Sequence, residues 1–139
     1  MVRLIVFFLT ILVAASASAA DITVSGAWIR RTPGGAPAGG YFTVHSKKAT
    51  ALVGARTPDY GMVTMHRTVE QGGIAKMIPV SRIDLSAGGT VVFQPGGYHL
   101  MLMHAGHDVA LGSKIPVTLL FSDRQNVTVP FEVRGPTAR

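Results

Sequence analysis

Short apolar runs, cut at nearly regular intervals by turn-forming residues, constrain this chain more than any other feature. Runs at 22–30, 41–45, 52–56, 62–68 and 74–78 fill its first half, and runs at 115–121 and 127–133 close it. Between them lie a Gly/Pro-rich loop at 31–40, Lys47-Lys48, Thr57-Pro58-Asp59-Tyr60-Gly61, Gln71-Gly72-Gly73 and Pro95-Gly96-Gly97. Glycine and proline at such points reverse the backbone and end regular elements. No stretch repeats its apolar residues with the 3.6-residue period of a helix. About nine strands at a spacing of roughly 8–12 residues predict an antiparallel β-sandwich or barrel. Neither an internal repeat nor a linker points to a second domain.

Residues 1–20 read as an export signal. Arg3 supplies the positive start, residues 4–15 the apolar core, and Ser16-Ala17-Ser18-Ala19-Ala20 the small-residue cleavage region. Cleavage after Ala20 leaves 21–139, and cleavage after Ala19 one residue more, as one domain long enough to bury a core without staples. No later apolar run is long enough to span a bilayer, so the mature chain is expected to be soluble, without stable membrane insertion. The sequence contains no cysteine, which excludes disulfides, a lipid-bearing cysteine and thiolate metal ligands. Without Arg3, 12 basic and 7 acidic residues leave a net charge of +5. The basic residues are scattered rather than gathered with stacking aromatics, which argues against nucleic acid as a partner.

Methionine and histidine carry the chemical signal. Apart from Met1, every methionine lies between 62 and 103, a window that also holds His66 and His99. In Tyr98-His99-Leu100-Met101-Leu102-Met103, strand alternation sets His99, Met101 and Met103 on one face, each about 6.6 Å from the next. Pairing about the Gln71-Gly72-Gly73 turn sets Met77 opposite a position near 67, within one step of His66. Two imidazoles and two thioethers form a neutral, soft donor set. It suits Cu(I) and is a poor match for Zn²⁺ or Cu(II).

The spacing is itself specific. Ten residues separate His66 from Met77, twenty-one separate Met77 from His99, and one separates His99 from Met101. This pattern resembles the signature of the periplasmic copper chaperones called PCu(A)C, as do Pro95-Gly96-Gly97-Tyr98, Ile115-Pro116-Val117-Thr118-Leu119 and Ala27-Trp28. The resemblance covers essentially the whole chain after residue 20. It implies a cupredoxin-like antiparallel β-sandwich binding one Cu(I) through His66, Met77, His99 and Met101. It also implies delivery to a copper-accepting protein, either a cytochrome c oxidase subunit or another copper-assembly protein. The chain departs from many relatives in lacking a His- and Met-rich C-terminal tail, and in carrying His104 and His107 just after the motif.

Met62 and Met65 read as core residues, Met103 as site floor or core, and His104 and His107 as exposed turn residues. His45 reads as structural or exposed, Trp28 as a core anchor, and the Asn126-Val127-Thr128 acceptor motif as incidental. No enzyme motif is present: there is no Gly-x-Ser-x-Gly elbow, His-Glu-x-x-His, phosphate loop or paired carboxylates. A blue-copper site needs a thiolate that this sequence lacks. The competing expectation is an exported adhesion or assembly module whose methionines only pack.

Overall fold

The computed structural model describes residues 21–139, and the export segment read at 1–20 lies outside them. The strands are β1 (Ile22–Arg30), β2 (Ala38–Ser46), β3 (Thr50–Arg56), β4 (Tyr60–Gln71) and β5 (Ile74–Pro79), followed by β6 (Ile83–Leu85), β7 (Thr90–Phe93), β8 (Tyr98–Ala105), β9 (Lys114–Phe121) and β10 (Asn126–Arg134). A three-residue 3-10 turn, Pro33–Gly35, is the other regular element among the described residues. The all-β expectation therefore holds.

All ten strands join one hydrogen-bonded sheet in the order β5-β4-β8-β7-β2-β1-β10-β9-β3-β6. Most neighbours are antiparallel, but β1 runs parallel to β10, and β7 parallel to β8. The sheet curls so that one face encloses the core, where Phe42 stacks on Phe93 at 4.4 Å and meets Phe131 edge-on at 5.7 Å. Fully buried Leu52, Leu100, Leu102 and Leu119 fill the remainder. Each such side chain stabilises the fold by about 1.5–3 kcal/mol relative to an exposed one.

Within 31–40, the reading as a continuous loop fails at 38–40, which form the start of β2. Glycine reads as a breaker by default, yet here it serves close packing. A Cβ on Gly40 would lie 3.1 Å from Leu100 Cβ and 3.2 Å from Leu102 Cδ1. Those two leucines fix the orientation of β8. With Leu100 and Leu102 driven into the core, His99, Met101 and Met103 must take the outer face.

Candidate metal centre

The pairing of β4 with β8 brings the two imidazoles together. His66 pairs directly with His99, and Thr64 with Met101. Directly opposed residues share a face, with Cβ atoms about 4.5–5.5 Å apart. The two rings lie nearly parallel, 15° between planes, with centroids 5.8 Å apart.

His99 is 7% exposed. Its Nδ1 lies 3.2 Å from the Gly97 carbonyl, which can only accept, so that nitrogen carries the proton and donates. The other nitrogen, Nε2, therefore presents a lone pair. That atom is buried and finds no hydrogen-bond partner among the described residues. An orphaned buried acceptor of this kind calls for an explanation, and an ion is one of them. A metal-ligating imidazole usually has its second nitrogen fixed by a carbonyl, as here.

His66 Nδ1 lies 3.3 Å from Thr64 Oγ1. If Nδ1–H donates to the hydroxyl, Nε2 is left free on this ring as well. Partial burial, reinforced by the neighbouring His99, lowers the pKa of His66 below the ordinary imidazole value. The neutral, ligating form is thereby favoured.

Met77 arrives on β5. Gln71 pairs with Ile74 around Gly72 and Gly73, both at positive φ, so Met77 opposes Thr68 rather than residue 67. The one-residue difference matters because strand side chains alternate with period two. Opposite 67, Met77 would point away from His66; opposite Thr68, it shares the outer face and sits diagonally from His66. Met77 is 60% exposed on an edge strand whose residues are all exposed. The site is thus open on that side.

A cavity of about 420 Å³ unites Met77, His99 and Met101 with Arg30, Gly39 and Tyr41. His66 does not line it and stands beside His99. The far wall comes from β1 and β2. Gly39 pairs with Met101 on one side and with Arg30 on the other. A Cβ on Gly39 would lie 2.5 Å from Tyr41 Oη, so the missing side chain lets the tyrosine lean across the strand. Tyr41 packs against Trp28 at 4.8 Å, Arg30 lies 5.4 Å from the Tyr41 ring, and Arg134 lies 4.9 Å from the Trp28 ring. Trp28 is buried, as expected, but within this cation–π stack on the outer face. Arg30, Gly39 and Tyr41 escaped the sequence reading because their register, not their residue type, places them there.

The remaining histidines lie elsewhere. His104 and His107 are exposed, as expected, but His104 lies within β8 rather than in a turn. His107 Nε2 lies 2.6 Å from Asp59 Oδ1, and this bond raises its pKa. No group of three or more His, Asp or Glu able to hold an ion occurs among the described residues. His45 Nδ1 lies 3.1 Å from Thr90 Oγ1 at the surface. Met65 is in the core, 4% exposed, but the core reading of Met62 is overturned: it lies on the outer face and is 47% exposed. Met103 pairs with it there and is half-buried.

One β-sheet with this strand arrangement defines the class: the fold is that of PCuAC domains. The copper-bound PCuAC domain of PmoF2 superposes with a TM-score of 0.70 at 23% identity, over 86% of this chain and 97% of that one. The Cu(I) form of DR1885 from Deinococcus radiodurans gives a TM-score of 0.68 at 31% identity, over 86% and 83%. The chain belongs to the LpqE-like family, whose profile matches residues 22–133. A Leifsonia xyli subsp. xyli protein named as a lipoprotein is 33% identical over 115 residues, covering 81% of this chain and 69% of its own length. An uncharacterized Rickettsia prowazekii protein is 30% identical over 96 residues, covering 67% and 53%.

Proposed function

We propose that this protein is an exported copper chaperone that binds one Cu(I) through His66, Met77, His99 and Met101 and passes it to a copper-accepting partner. The observation that carries the reading is the buried, partnerless Nε2 of His99, on a ring that pairs with His66 and shares its face with Met101. Two similar structures, a copper-bound PCuAC domain and a Cu(I) protein, support the choice of ion.

The donor chemistry fits transfer. Four neutral ligands leave the single charge of Cu(I) uncompensated, and thioethers are soft but uncharged donors. With Met77 on an exposed edge strand, an incoming thiolate could displace that thioether first while the imidazoles still hold the ion. The acceptor expected from the motif is a cytochrome c oxidase subunit or another copper-assembly protein, reached in the periplasm after export. Binding and release of an ion require no bond-making in a substrate, so the role is not enzymatic.

Copper K-edge absorption on reduced, copper-loaded protein tests the reading. One Cu(I) per chain with mixed nitrogen and sulfur scatterers is expected, with sulfur amplitude reduced in Met101→Ala. A shell of nitrogen and oxygen alone, or tighter binding of Zn²⁺ than of Cu(I), would refute it.

A further inference from the structure

The face that carries His66 and His99 continues toward the opposite end of β4 and β8. Thr64 opposes Met101, and one further pair along, Met62 opposes Met103. Packing does not account for the outward turn of Met62 in this second pair. Met65 is the methionine of β4 that fills the core, at 4% exposed, whereas Met62 turns outward and is 47% exposed. Directly opposed strand residues have Cβ atoms about 4.5–5.5 Å apart, and methionine is unbranched with three rotatable bonds. Two such side chains can bring both sulfurs onto one ion between them. Met103 is also two residues from Met101 on the same strand, about 6.6 Å away along it.

We propose that Met62 and Met103 form an auxiliary soft-metal site, separate from the His66–His99 centre, that takes Cu(I) or Ag(I). Two neutral thioethers select a soft monovalent ion and offer little to Zn²⁺ or Mg²⁺. With two protein donors instead of four, this site binds more weakly and exchanges faster than the main centre. Its place at the exposed margin of the same face makes it a landing point for an ion entering or leaving. The inference rests on the placement of two thioethers, independently of whether the four-residue centre binds metal.

The test uses protein labelled with ¹³C at the methionine methyls and titrated with Ag(I), which keeps its oxidation state. Expected are shifts of Met77 and Met101 during the first equivalent, followed by joint movement of Met62 and Met103 during the second. Met65, on the core face, serves as an internal control and stays in place. In Met103→Leu, which conserves volume, Met62 should lose its response while the Met65 signal reports an intact fold. The site is refuted if Met62 and Met103 stay still through two equivalents, if they move only together with Met77 and Met101 during the first, or if Met62 responds unchanged in Met103→Leu. Should Met62 and Met103 respond while Met77 and Met101 do not, the auxiliary site stands and the four-residue centre fails.

Discussion

Two imidazoles set side by side without a carboxylate between them make protonation unfavourable at His66. Burial is the larger cause of its lowered pKa, and the neighbouring His99 adds to it. The folded state therefore resists the proton that the unfolded chain accepts near pH ~6.5, so this residue's effect lowers apo stability as pH falls through that range. For metal uptake the same shift is helpful, because a ligand that stays neutral at lower pH meets less competition from protons. In the apo protein, the His66 ring protons followed by NMR should titrate below the ordinary imidazole range. His99→Gln removes the like charge and should move that midpoint upward. A wild-type midpoint at or above the ordinary value would contradict the packing described for this ring. His66→Met keeps a soft donor without a titrating group. In competition with a Cu(I) chelator it should retain copper and show a shallower loss of affinity between pH 7.5 and pH 5 than the wild type.

Strands β4, β5, β8 and β2 create the site, and they were legible in the sequence to different degrees. The alternation in Tyr98-His99-Leu100-Met101-Leu102-Met103 gave the face of β8 correctly, because leucines at every second position admit only one orientation. The hairpin was readable only to within one residue, since a Gly-Gly turn fixes the register by backbone geometry that composition does not encode. The reading of 38–40 as loop failed because glycine signals a break unless a neighbour needs its space. Gly39 and Gly40 differ in which neighbour that is, and alanine at each separates the two roles. Gly40→Ala meets Leu100 Cβ, a rigid atom in the core, and overpacking of this kind destabilises by about 1–3 kcal/mol. Gly39→Ala meets the far end of Tyr41, which can swing away and disturb its stack on Trp28. Thermal melts should show the larger loss for Gly40→Ala, and the fluorescence of Trp28 should change more in Gly39→Ala. The reverse order would mean that Tyr41 is held more firmly than its leucine neighbours.

Across the whole molecule, the core and the site lie on opposite faces of the same sheet. Leu100, Leu102, Phe42 and Phe131 are buried without help from any ion, and the four motif residues lie outside that cluster. Folding should therefore precede metal binding, and the apo protein should melt in a single cooperative transition. A ligand that binds only the folded state stabilises it by about 2.7 kcal/mol at a hundredfold excess over its dissociation constant. For a chain of this size, each kcal/mol raises the melting temperature by roughly 3–5 °C, so saturation with Cu(I) should add on the order of 10 °C. Met77→Leu isolates the contribution of β5. The residue is exposed, the change conserves volume, and the apo melting temperature should fall by less than ~1.5 kcal/mol would produce. The copper-induced rise should shrink by several degrees if Met77 is one of the four proposed donors. Calorimetry with and without Cu(I), run on both proteins, decides the matter. An apo form without a cooperative transition would mean that the metal assembles the fold. An undiminished rise in Met77→Leu would remove Met77 from the donor set and leave the ion on β4 and β8 alone.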